Sequence, residues 1–230
     1  MHHTVIPCGI SRSFPDPDHP LLKSATEDGE VLLLIGDQAG QTLKTIQNLD
    51  QKKAVLLELG TECLGLYTGE HRGEEGSNIL GFARFRLGEG EPSDLVELVR
   101  QPKTPAEVVK VGQEFFERFG LEVAVCLDFA GRIIDRLVRP YFNDALRRLD
   151  EQLATAEDLD KTLQMGLGYP EGPISLLTRT GLHHHYDVTQ ELFETYGEKA
   201  YAPARRARIA KKRRMERDSS CTMDGTKGDP

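Results

Sequence analysis

Three places in this sequence hold residue types that could carry chemistry. His183, His184 and His185 are consecutive, and imidazole is a common zinc ligand. Adjacent positions on a helix point in different directions, so three in a row cannot face one ion together, and no metal site is expected. Gly36-Asp-Gln-Ala-Gly40 follows an apolar run, and glycines after a strand can let the backbone approach a phosphate. The third place is the basic run from Arg205 to Arg217. It offers an anion site, but the plainer reading, adopted here, is a solvated helix end or tail. Cys8, Cys63, Cys126 and Cys221 are scattered without a Cys-x-x-Cys pair. That spacing suggests neither a zinc ribbon nor a disulfide framework and fits reduced thiols in a cytoplasm.

The elements that must position such residues change character along the chain. Residues 1 to about 29 are rich in Pro, Asp and His, with turn formers in FPDPDHP. Glu30 to Gly36 and Lys52 to Gly60 are continuous apolar runs, as expected for buried strands of a parallel sheet, with a short helix over TLKTIQNL between them. Asn78 to Gly88 reads as a third strand and Leu121 to Asp128 as a further one. Between them a helix is predicted, with Thr104 as N-cap, Pro105 at the first helical position, Glu107 completing a capping box and Gly120 ending it. From Gly131 the apolar residues recur every three to four positions. This predicts a long helix through Leu149 that keeps Pro140 inside it, against the local rule. Thr155 with Asp158 marks another helix start, Gly168 to Pro173 a loop, and Ile174 to Tyr196 a last helical stretch.

A net charge of -8 argues against general affinity for nucleic acid, which rests on Lys and Arg. The chain start has no cationic region followed by an apolar run, and no apolar stretch approaches the roughly 18 residues of a membrane span. Neither secretion nor membrane insertion is expected, and a cytoplasmic protein is.

Residues 130–182 resemble the C-terminal domain of 3-hydroxyacyl-CoA dehydrogenases. The resemblance is carried by Gly131-Arg-Ile-Ile-Asp135-Arg136-Leu137, Pro140-Tyr141, Ala156-Glu-Asp158-Leu159-Asp160 and Leu167-Gly168-Tyr169-Pro170-Glu-Gly172-Pro173. A proline in the family's helix also accounts for Pro140. A weaker resemblance extends upstream over Asp94 to Asp128. It implies an α/β fold: a reduced Rossmann-like domain over residues 1–128, an all-α dehydrogenase C-terminal-like domain over 129–215, and a disordered tail over 216–230.

A complete family member opens with Gly-x-Gly-x-x-Gly against the dinucleotide pyrophosphate. Here the triple spacing is absent, and Asp37 puts a negative charge in the turn. The family reaction uses a His base held by a Glu, with Asn and Ser polarising the substrate oxygen. The resemblance places Glu97 at the glutamate and Asp135 at the Asn, Ala83 or Arg84 at the His, and Cys63 or Glu62 near the Ser. Glu97 and Asp135 are therefore candidate catalytic positions of a vestigial kind, with no cofactor bound. The implied role is a non-catalytic module that dimerises, pairs with a catalytic dehydrogenase subunit, or binds an acyl-CoA, whose phosphates the basic run could meet. The alternative is an active 3-hydroxyacyl-CoA dehydrogenase of fatty-acid or phenylacetate-type degradation that uses NAD at an unusual site.

Overall fold

The computed structural model describes the backbone of residues 1–224 and side chains through residue 220. Contacts divide the chain into two units: residues 1–86 with 91–134, and residues 87–90 with 135 onward.

The first unit is a six-stranded sheet: β1 (His3–Pro7), β2 (Val31–Ile35), β3 (Ala54–Glu58), β4 (Ile79–Arg84), β5 (Leu95–Arg100) and β6 (Glu122–Leu127). All neighbours are parallel except β4 and β5. Strands β2 and β3 are buried at every position, as a sheet covered on both faces requires. Val31, Leu33, Ala54, Leu56 and Phe82 pack on one face with Phe115 and Phe116 of α4 (Ala106–Glu117). Leu32, Leu34, Val55 and Leu57 pack on the other with Ala39 and Leu43 of α2 (Ala39–Leu43). Short helices α1 (Pro20–Lys23) and α3 (Gly65–Thr68) complete the unit.

Several local expectations need correction. HTVIP, for which no element is expected, is β1; five residues beside a Pro-rich stretch are too few to show a period, and pairing with β2 fixes them. Strand β5 was hidden in the polar neighbourhood of the DLVELVRQ segment and takes its form from β4 and β6. The short helix spans Ala39–Leu43, so it begins before the TLKTIQNL stretch expected to form it and ends inside that stretch. The cap of α4 is Pro105, without a side-chain bond, because the Thr104 hydroxyl instead accepts the N–H of Gln101 at 3.0 Å.

The second unit holds α5 (Ile134–Asp150), α6 (Ala156–Leu167), α7 (Pro173–Thr180), α8 (Leu182–Tyr196) and α9 (Arg205–Asp224). Pro140 lies within α5. Thr155 caps α6, its hydroxyl accepting the N–H of Asp158 at 3.1 Å. The single stretch expected from Ile174 to Tyr196 is two helices, broken at Gly181, whose φ is +92°. Phe142, Leu146, Ile174 and Leu177 form the core. The basic run is the start of α9, and that helix continues to Asp224 across part of the segment read as a disordered tail; 225–230 lie outside the described residues.

Candidate functional site

The resemblance points to the β4–β5 ladder. Ala83 lies directly opposite Glu97 in that antiparallel pair, so the two side chains leave the same face of the sheet. Of the two candidates for a base, position 83 is thus the one a carboxylate at 97 could orient, and it holds a buried methyl group, 4% exposed. Arg84 points the other way. Its guanidinium donates to the carbonyls of Ser93 at 2.7 Å and Ser13 at 2.9 Å.

Glu97 is 2% exposed and engaged on both oxygens. One accepts the N–H groups of Ile133 at 2.9 Å and Ile134 at 2.8 Å; the other takes Nε of Arg132 at 3.3 Å. Arg132 is itself buried, and its Nη1 has no hydrogen-bond partner. Its φ of +50° is left-handed, a conformation that costs a non-glycine residue on the order of 1–3 kcal/mol and holds only where the surroundings fix it.

Neither thiol nearby offers a nucleophile. Burial, then the charge of Asp128, pushes the Cys63 thiol up. Burial, then Glu97, pushes Cys126 up to about 11, so both stay protonated near neutrality. Asp128 is raised by burial and accepts the N–H groups of Leu64 at 2.6 Å and Gly65 at 2.7 Å.

Asp135 lies in the second unit, within a side-chain network of that unit. It binds Nε of Arg139 at 2.6 Å, and Arg139 Nη1 lies 3.3 Å from Nδ1 of His185. Nε2 of His185 is 3.0 Å from the Asn143 side-chain oxygen, which assigns the proton to Nε2. Burial, then the Arg139 charge, lowers the His185 pKa to about 3, so this imidazole is neutral at ordinary pH. Asp135 is the counter-ion of a buried arginine and has no N–H to give an oxygen. His184 meets Glu89 at 3.2 Å, and the His183 and His184 rings lie 4.0 Å apart. Among the described residues no three His, Cys, Asp or Glu side chains converge as a metal site would require.

A group that sequence reasoning missed closes the carboxyl edge of β1, β2 and β3. Glu58, the last residue of β3 and 6% exposed, accepts the N–H groups of Ser13 at 2.7 Å, Arg12 at 3.0 Å and Gly36 at 2.7 Å. The one available signal was a lone carboxylate between Leu57 and Leu59 in an otherwise apolar run. Gly36 and Gly40 have packing roles. Gly36 has φ +115°, and a Cβ there would lie 2.5 Å from the Cys8 carbonyl oxygen; a Cβ on Gly40 would lie 2.1 Å from the Tyr67 ring. The Asp37 carboxylate accepts the N–H of Ile10 at 3.1 Å.

The sheet order bears on the same edge. A dinucleotide sheet runs 3-2-1-4-5-6 and binds its ligand in the crevice where the order reverses. Here the order is β1 through β6 in sequence, with no reversal. A pyrophosphate seeking backbone N–H groups at this edge would find those of Arg12, Ser13 and Gly36 already satisfied, and these residues do not fit a dinucleotide while Glu58 is in place.

Comparison with known proteins agrees with the two-unit description. The family model described as 3-hydroxyacyl-CoA dehydrogenase, C-terminal domain, matches residues 131–222. Among curated relatives, a 3-hydroxyadipyl-CoA dehydrogenase of Escherichia coli is 36% identical over 102 residues, covering 44% of this chain and 22% of that protein. A 3-hydroxybutyryl-CoA dehydrogenase of Bradyrhizobium diazoefficiens is 32% identical over 110 residues, 48% of this chain and 38% of that one. The chain thus spans well under half the length of these relatives. The crystal structure of a 3-hydroxybutyryl-CoA dehydrogenase from Escherichia coli shares the fold with TM-score 0.66 at 23% identity, over 85% of this chain and 40% of that one. An (S)-3-hydroxybutyryl-CoA dehydrogenase from Ralstonia eutropha does so with TM-score 0.65 at 18% identity, over 79% and 64%. The helical region over residues 131–222 thus matches the C-terminal domain of 3-hydroxyacyl-CoA dehydrogenases, and in this chain it follows a shortened Rossmann-like sheet.

Proposed function

We propose that this chain is a non-catalytic member of the 3-hydroxyacyl-CoA dehydrogenase family, a dimerisation or acyl-CoA-binding module that takes no NAD on its own. The observation that carries the reading is the Ala83–Glu97 pair: the position opposite the carboxylate has no base, and the carboxylate already serves Arg132, Ile133 and Ile134. Proton removal from a 3-hydroxyl needs an acceptor within hydrogen-bond reach, and a methyl group is none. The unreversed sheet and the Glu58 contacts support the absence of a dinucleotide role.

The acyl-CoA part of the reading comes from the relatives, whose names all specify acyl-CoA substrates. Self-association is supported by apolar side chains on the helical unit: Leu137 is 69% exposed, Met165 81% and Leu167 64%. Domain limits of 1–128 and 129–215 form part of the proposal, with Glu97 and Asp135 as vestigial family positions. The working location is the cytoplasm; no described helix is long and apolar enough to cross a membrane.

Separate calorimetric titrations with NADH and with acetoacetyl-CoA test this. The expected outcome is no heat of binding with NADH and saturable binding with the thioester, or failing that a dimer by sedimentation. A micromolar dissociation constant for NADH would overturn the non-catalytic reading in favour of an active dehydrogenase with an unusual site. A strict monomer that binds no thioester would remove the module role.

A further inference from the structure

We propose that the N–H groups of Arg12, Ser13 and Gly36 form a preformed oxyanion site whose resident ligand is the chain's own Glu58 carboxylate. The edge where this happens is the one at which α/β sheets present backbone N–H groups to a ligand, outside the carboxyl ends of the parallel strands. Three donors at 2.7–3.0 Å converge on one carboxylate, two on Oε1 and one on Oε2. This is the contact pattern of a bound anion, and hydrogen bonds to a charged acceptor are the strong ones.

The donors are held by parts of the unit other than Glu58. The Ser13 hydroxyl accepts the N–H of Arg84 at 3.2 Å, and the Ser13 carbonyl accepts Nη1 of Arg84 at 2.9 Å. Phe14 behind them is buried, and its N–H bonds the Ser11 hydroxyl at 2.9 Å. Gly36 is fixed by its own close approach to Cys8, whose N–H reaches the Ile35 carbonyl at 2.6 Å. A cradle built this way persists when its occupant is shortened. A tethered side chain already in place also competes at an effective concentration that no free anion reaches, so the native chain keeps external phosphate off this edge. The chemical class the emptied site accepts is a small oxyanion, probed here with formate and with inorganic phosphate.

This inference deepens the proposal that the unit takes no dinucleotide, but it is tested without one. Thermal melts of the native chain, Glu58→Ala and Glu58→Gln are compared as formate, phosphate or chloride is raised at matched ionic strength. Glu58→Ala is expected to lower the midpoint by on the order of 5–10 °C, and formate to recover most of that loss saturably, where chloride does not. Phosphate recovery alongside formate extends the site to tetrahedral oxyanions and equally supports it. Glu58→Gln, whose amide still fills the space, is expected to show no saturable response. Absence of recovery in Glu58→Ala, or the same response in all three proteins, overturns the proposal. Should Glu58→Ala not fold, the amide proton resonances of Arg12, Ser13 and Gly36 are compared between the native chain and Glu58→Gln. An upfield move of all three supports an anion-loaded cradle, and unchanged positions overturn it. NADH binding by the native chain would sink the functional reading and leave the formate result standing, so the two failures are told apart.

Discussion

Buried carboxylates do different work in the two units. In the sheet unit the buried Glu58 and Glu97, and the half-buried Asp128, each take two or three backbone N–H groups from segments distant in sequence. In the helical unit Asp135 takes a guanidinium one helical turn away and joins a network of side chains. Among the described residues there, Asp160 follows the sheet unit's habit, accepting the N–H of Ile174 and of Ser175 at 2.8 Å each. The difference separates two kinds of dependence. An acid that satisfies backbone cannot be exchanged together with one partner, because main-chain donors remain whatever the side chains are. An acid that satisfies a side chain can.

Double substitution exposes that difference with the largest effect. Arg139→Ala and Glu97→Ala each strand a buried charge, and each is expected to cost about 3–5 kcal/mol in urea denaturation. Asp135→Leu combined with Arg139→Met removes both charges of the helical pair and should regain most of that loss. Glu97→Leu combined with Arg132→Met should not, since the N–H groups of Ile133 and Ile134 are left without an acceptor. Equal recovery in both units would erase the comparison.

The next test uses pH. His185 is neutral in the fold with a pKa near 3, against 6.5 for the unperturbed imidazole. The unfolded chain therefore takes up a proton below about pH 6.5 that the folded chain refuses. Stability of the helical unit should fall as pH drops from 6.5 towards 3, by up to about 1.4 kcal/mol per unit, and this contribution is flat above 6.5. His185→Gln should flatten that limb in urea midpoints measured across the range. An unchanged slope would mean that other groups carry it.

A smaller effect is expected at the helix start that could be read directly from sequence. Thr155→Ala should cost about 1 kcal/mol by removing the acceptor for Asp158, whereas Thr104→Ala, whose hydroxyl caps no helix, should leave the α4 end intact by amide exchange. These two threonines show what the sequence made legible. Thr155 and Asp158 are three residues apart, and their bond follows from local spacing. Thr104 has equally good spacing to Glu107, but its hydroxyl is drawn to Gln101 at the end of β5. Strands β2, β3, β4 and β6 were legible because each is a mostly apolar stretch of five or six residues; β1 and β5, with polar residues in or beside them, take their form from their neighbours. At the candidate site the separations are larger: 46 residues from Glu58 to Arg12, 64 from Asp128 to Leu64, and 35 from Glu97 to Arg132. No local pattern encodes such pairs. Glu97 and Asp135 could be located only through the resemblance, and their partners only through the fold.

The smallest expected effect is a null one, and it bears on whether the sheet unit is an interrupted active site or something else. Ala83→His restores an imidazole opposite Glu97, on the same face of the β4–β5 ladder. In an eroded enzyme lacking only its base, this one change would return part of the general-base contribution, roughly a hundred- to ten-thousand-fold. Two features of the site argue that it returns nothing. The Glu97 oxygens already accept from Ile133, Ile134 and Arg132, so orienting a new imidazole means giving up a bond that holds the end of this unit. A hydride acceptor also needs its phosphates held, and the backbone donors at the carboxyl edge bind Glu58. Ala83→His, verified as folded by its urea midpoint, should therefore reduce no NAD above background with 3-hydroxybutyryl-CoA. Absorbance growth at the nicotinamide band that depends on both substrates would place a working dinucleotide in this unit, and the sheet would then have to be read as a damaged catalytic half whose Glu58 contacts give way to a ligand.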